Sequence, residues 1–330
     1  MLSSDIKFYK AVTINDTASN GGLLSAQAYT SNAAANMFPN VQKAEIDSGS
    51  TKYRKMHIKN SNALEEALLS PKVWLDSPTP ADDWITFFAA TESDTQASIT
   101  GTEQKYGSAF VSVDAIAGTY VIVVEVEDSS LTGIFVDGMN IRLSDMTNAL
   151  TPLSGNEEFH VIDGTPTVSG NAVTITTTTP LTYTYSVGNS VVNGILTTPT
   201  LLATVTDWVE SGTGSYDGAT YPVTVNNVGT IAQTWTLRFS SPTAFTVTGN
   251  TVGLLGTGSV SANFTPINSN FSKPYFILSA LGFAGTWSTG NTITFKTHPS
   301  ATAIWVKRVI PAGVTAYSTN NCIFIIDGEA

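Results

Sequence analysis

The chain has 330 residues, only 12% of them charged, and 15 basic against 26 acidic residues leave a net charge of −11. That balance excludes a protein that grips nucleic acid through its phosphates, so no direct nucleic-acid partner is expected. The single cysteine, Cys322, excludes an internal disulfide, and no apolar run reaches the roughly 18 residues of a spanning helix.

Soluble proteins usually carry about 25% charged residues. Here Thr, Ser, Asn and Gly take that place, which suits extended strands and either a neutral polar exterior or a surface buried between subunits. Met1–Asp5 lacks the basic-then-apolar layout of a signal peptide, so synthesis in a cytoplasm is expected, with no membrane partner. The length predicts two or three domains.

Residues 1–104 read as a mixed α+β module that holds most of the basic residues. Ile6, Phe8, Val12 and Ile14 alternate as a first strand, Asn20-Gly21-Gly22 is a turn, and Leu23–Tyr29 is a second strand. Pro39 to Ser48, stopped by Gly49, reads as a short helix. Thr51–Asn60 then alternates Tyr53, Lys55, His57 and Lys59 against Arg54, Met56 and Ile58. Such a basic strand face is either solvated, blunting a sheet edge, or salt-bridged to an acidic neighbouring subunit. Lys52, Arg54, Lys55 and Lys59 are therefore candidate subunit-docking residues. Asn62–Leu69 reads as a brief helix or loop turn, and Val73–Leu75 and Trp84–Phe88 as further strands.

Residues 105–200 read as a β domain. Thr119–Glu127 is its clearest strand. Asp137-Gly138 predicts a hairpin between Ile134–Val136 and Met139–Leu143, Gly170-Asn171 predicts another between Val168 and Val173–Ile175, and Thr176–Tyr185 reads as an exposed strand. Residues 201–330 read as a C-terminal β-sandwich. In it Val223 and Val225 are expected to pair across Asn226–Gly229 with Trp235, Leu237 and Phe239, followed by short strands with a turn about every 8–12 residues. The expected fold class is mainly β: the mixed module, then two antiparallel sandwich or barrel-like domains.

Motifs of chemistry are missing from this pattern. There is no phosphate-binding loop, dinucleotide fingerprint or nucleophile elbow, and His57, His160 and His298 lie outside metal-ligand spacing. The doublets Glu65-Glu66, Asp82-Asp83 and Glu157-Glu158 point apart on extended chain and do not make a facing carboxylate pair. No enzyme activity, cofactor or metal is expected. Cys322, in an apolar run, reads as a buried structural thiol. Trp235 and Trp305 sit in alternating strands and read as core, whereas Trp287 and Tyr275 are candidates for an exposed sugar-stacking surface.

Two stretches carry a resemblance. The first runs from Asp5–Lys10 through Asn20-Gly21-Gly22 and Phe38–Val41 to Thr51–Lys55 and Lys59-Asn60. The second comprises Trp235-Thr-Leu237, Phe245-Thr-Val247, Pro274–Phe276, Gly285-Thr-Trp287, Thr297-His298-Pro299 and Ile304-Trp305 to Lys307-Arg308. Together they resemble virion structural proteins of tailed bacteriophages. The resemblance implies a non-enzymatic homo-oligomer in the virion, at the neck or collar of the head–tail junction or in the tail, with copies of itself and other virion proteins as partners. A capsid decoration protein, or a receptor-binding protein that contacts host-surface glycan, is the alternative it leaves open.

Overall fold

The computed structural model describes residues 1–146, 155–315, 317 and 320–329. The fold is mainly β, built of antiparallel sheets, as the alternating patterns predict.

The first sheet has five strands in the order Gly21–Ala28, Ile6–Thr13, Ser50–Asn60, Ala301–Ile310, Trp84–Ala90. A three-stranded sheet, Leu196–Thr197, Leu69–Leu75 and Phe324–Glu329, covers one of its faces. Val73 and Leu75 pack on Met56, Ile58, Ile304 and Val306 between the two sheets. The covering sheet is buried on both sides: Trp74, next to Val73, meets Phe159 of the following domain at 6.2 Å. The only α-helix among the described residues is Lys43–Ser48, inside the predicted range and ended by Gly49 at φ 74°. Asn62 organises a turn and no helix, its Oδ1 accepting from Leu64 N at 2.9 Å and Glu66 N at 3.2 Å.

The middle region forms a seven-stranded sheet, Thr167–Ser169, Ala172–Thr176, Val121–Glu125, Ser108–Val113, Val191–Gly194, Asn140–Ser144, Glu157–Val161. A bridge between Ile162 and Thr177 brings its ends together and curls it towards a barrel. Val111, Ile122, Val124, Ile141, Leu143, Val173 and Val192 fill the interior. The hairpin at Gly170-Asn171 forms as expected. The one at Asp137-Gly138 does not, because Ser129–Ile134 is a 3₁₀-helix and Asn140–Ser144 pairs with Glu157–Val161 and Val191–Gly194. Thr176–Tyr185 is not a continuous strand either: Thr176 ends the strand from Ala172, and beyond it Thr177 and Tyr185 make isolated bridges, to Ile162 and Ala115.

The last layer pair is a sandwich around an aromatic core. Its main sheet runs Thr204–Ser211, Thr292–His298, Gln233–Phe239, Ala244–Gly249, Gly253–Ser259. The inward set Trp235, Leu237 and Phe239 is the predicted one, but its partners are Ala244–Gly249 and Thr292–His298. Thr224 instead bridges Ile277 in the opposing layer, so the expected hairpin is replaced by a crossing between layers. Periodicity marked the faces correctly; the pairing depended on which strand edge was free.

The domain limits differ from the expected ones for the same reason. Ala301–Ile310 lies inside the first sheet and Phe324–Glu329 inside its cover, so residues 201–330 do not form one closed unit and residues 1–104 lack a central strand. A fragment of residues 1–104 is expected to show no cooperative thermal transition by circular dichroism. Adding a peptide of residues 300–330 in trans should restore one.

Candidate functional site

Ser50–Asn60 holds the candidate docking residues, and the structure places it between Ile6–Thr13 and Ala301–Ile310. A strand in that position has no free edge, and both of its faces are covered. On the face turned to the covering sheet Arg54 is 5% exposed. Its Nη1 donates to Asp16 Oδ1 at 2.6 Å, and its guanidinium lies 5.6 Å from the Phe38 ring. Lys52 pairs with Glu45 at 2.7 Å.

The opposite face carries Lys55, His57 and Lys59, exposed by 2%, 2% and 0%. Lys55 Nζ lies 2.6 Å from Asp94 Oδ1 and donates to Gly22 O at 2.8 Å and Asp94 O at 3.0 Å. The other oxygen of Asp94 accepts from Trp305 Nε1 at 3.0 Å. Gly21 makes this closure possible: at φ +106° a Cβ there would sit 2.7 Å from the Trp305 ring. Lys59 Nζ donates to the main-chain oxygen of Asn227 and lies 5.6 Å from the Phe271 ring. Asn227 in turn donates through N to Glu65 Oε2 and through Nδ2 to Glu66 O, and its Oδ1 accepts from Ala203 N at 3.0 Å.

Lys52, Arg54, Lys55 and Lys59 are therefore not a docking surface for another subunit. Their partners lie in this chain: Asp16, the helix residue Glu45, Asp94 and the main-chain oxygen of Asn227. An ammonium stripped of water loses several kcal/mol of hydration, and only close carboxylates and carbonyls offset that. Burial pushes Lys55 below the usual lysine range, opposed by Asp94. It lowers Lys59 to about 8, opposed by Glu65. Burial and the neighbouring Lys55 charge lower His57 to about 3, so this imidazole is neutral and accepts its place as a polar core residue.

The aromatic candidates are interior as well. Trp287 is 2% exposed and stacks on Phe239 at 4.2 Å with an interplanar angle of 3°. Tyr275 is 9% exposed, 5.4 Å from the Trp235 ring. Neither offers a face to a sugar. Cys322, expected to be buried, is half-buried, and desolvation pushes its thiol up to about 12. His298 closes the strand Thr292–His298 and contacts Glu92 Oε2 at 3.0 Å and Thr206 Oγ1 at 2.9 Å. Among the described residues no three of His, Cys, Asp and Glu converge as metal ligands, and no helix is long and apolar enough to cross a membrane.

Surface features outside this strand were not signalled by motifs. The outward face of the middle sheet is covered at one end by Leu69–Leu75, where Asn193 Nδ2 donates to Leu75 O at 2.7 Å and Arg142 pairs with Glu157 at 3.0 Å. At the other end Phe110, Val113 and Val121 stand 44%, 55% and 43% exposed. The register bulge between Val111 and Val113 is what turns Val113 outward, opposite Val123, instead of into the core. Phe110 pairs with Val191 on its other side, so these apolar side chains share one face.

Two titrations follow from the buried strand. His57 is held at about 3, below its ordinary 6.5, so between those values the unfolded chain binds the extra proton and stability falls as pH is lowered. Lys59, at about 8 against 10.5, makes stability rise between pH 8 and 10.5, where only the unfolded chain is still protonated. Melting temperatures of H57Q and K59M, taken relative to the parent at each pH, should show these two slopes flattened. Replacing the stacked indole, W287A, should cost about 3–5 kcal/mol in urea unfolding.

No family model matches the chain, and no curated protein matches it.

Proposed function

We propose that this chain is a non-enzymatic structural component of a tailed-phage particle, assembling with copies of itself at the head–tail junction, in the neck or collar, or in the tail. The observation that carries the assembly reading is the uncovered face of the middle sheet. Phe110, Val113 and Val121 stand exposed on one face beside half-buried Val123 and Val191, with exposed Glu125 opposite Phe110 at its rim. A soluble monomer gains nothing from exposing such a patch, and patches of this kind mark protein–protein contact. The same face, a few strands along, is already covered by a strand of this chain, so its shape accepts a packed sheet.

The placement in a phage particle is supported by the two resembling stretches. Although they lie at opposite ends of the sequence, Ile6–Thr13, Ser50–Asn60 and Ala301–Ile310 are consecutive strands of one sheet. The first stretch and Ile304–Arg308 of the second thus meet in one sheet, while the rest of the second stretch lies in the aromatic sandwich. A capsid decoration protein would use the same assembly face. The glycan-binding alternative rested on Trp287 and Tyr275, both of which are packed inside the sandwich.

Light scattering across protein concentration is the test. A discrete multiple of the chain mass is expected for the parent. The double variant F110E/V121E should shift to smaller species with an unchanged circular dichroism spectrum. A parent that stays monomeric at every concentration, or a double variant that assembles as before, counts against this face.

A further inference from the structure

A cavity of about 370 Å³ opens between the segment around Phe38–Val41, Asp82-Asp83 and the chain that leaves the central strand after Ile310. Two buried, opposite charges line it. Arg308 is 8% exposed, its guanidinium 4.7 Å from the Phe38 ring. It makes one long hydrogen bond, from Nη2 to Pro39 O at 3.3 Å, and its Nε is buried without a partner. Asp83 is 5% exposed; its Oδ1 accepts from Asn320 Nδ2 at 2.7 Å, and its Oδ2 is buried without a partner.

Most of the other buried cations meet a carboxylate, and Lys59 is held by a main-chain oxygen. Lys52, Arg54, Lys55 and Arg142 each meet a carboxylate at 3.0 Å or less. Among the described residues neither Arg308 nor Asp83 has an opposite charge at ion-pair distance, although both border the same space and Asp83 and Glu45 act on Arg308 from farther off. Buried charges with spare hydrogen-bonding capacity are costly, and two of them flanking one cavity call for a group that joins them. A lone anion at Arg308 would face Asp83 and Asp82; a lone cation at Asp83 would face Arg308. A molecule carrying both charges satisfies each side, and Ile46, Ile310 and Val314 line apolar wall beside them.

We propose that this cavity binds a small zwitterion of the α-amino-acid class with an apolar side chain. Its carboxylate meets the Arg308 guanidinium, its ammonium meets Asp83, and its side chain lies against Phe38 and Ile310. The cavity volume is in the range of small-molecule sites. This inference is independent of the assembly reading.

L-Leucine serves as the probe, measured by ligand-observed NMR on the full chain. 4-Methylvalerate, which lacks the ammonium, and 3-methylbutylamine, which lacks the carboxylate, serve as half-analogues. Saturable binding of L-leucine with a dissociation constant on the order of 1 mM is expected, with each half-analogue about tenfold weaker or worse. D83N and R308M should each lose the L-leucine signal while keeping the parent circular dichroism spectrum. The idea is overturned by no saturable response up to about 10 mM, which would leave water as the occupant, or by half-analogues that bind as well as L-leucine. Because the half-analogues use the unaltered protein, a variant that fails to fold leaves that comparison decisive.

Discussion

The ladder between Ser50–Asn60 and Ala301–Ile310, unbroken from Ser50 opposite Ile310 to Lys59 opposite Ala301, is the constraint on which the other elements depend. It places a strand from the end of the chain at the centre of a sheet begun at the other end. Everything between must leave and return, and it does so as the barrel and the aromatic sandwich. Closing so long a loop costs entropy that grows only slowly with length, and the apolar side chains on the covered face of the ladder offset it. Ile58, Ile304 and Val306 are fully buried there.

That ladder also explains why so many charges lie inside. The strand alternates bulky basic side chains with apolar ones, and its central place leaves neither face to solvent. The structure therefore brings acceptors to the cations: Asp16 and Glu45 on one side, Asp94, Gly22 and Asn227 on the other. Such buried pairs add little net stability over apolar packing, but removing one partner is severe, so they act as alignment pins. Lys55 fixes the Asp94 loop against Trp305, and Lys59 with Asn227 fixes the aromatic sandwich against the first sheet. Asn227 is the densest of these joints, tied to Glu65, Glu66 and Ala203 as well as Lys59.

The middle region exposes carboxylates, hydroxyls and amides together with apolar side chains. The apolar part is concentrated where a bulge adds Val113 to the side of Phe110 and Val121. Arg142, within the sheet of this region, is itself committed to Glu157 and Asn193. Assembly through this face would bring apolar side chains together while keeping Glu125 at the rim, where water still solvates its charge.

The sequence by itself determined the β class, the alternation that assigns Trp235, Leu237 and Phe239 to a core, the helix stop at Gly49 and the tight turn at Gly170-Asn171. Each of these is a local property, set by side-chain period or by the φ a turn requires. Only the tertiary structure decided which strands pair, and therefore what covers each face. The basic stripe of Ser50–Asn60 was legible as a stripe, but its burial depended on Asp94, Asn227 and Phe271, remote in sequence and unremarkable where they stand. Trp287 likewise became interior because Phe239 and Gly214 come to lie against its ring. Period tells a side chain which face it is on; whether that face meets water or protein depends on contacts that no local pattern encodes.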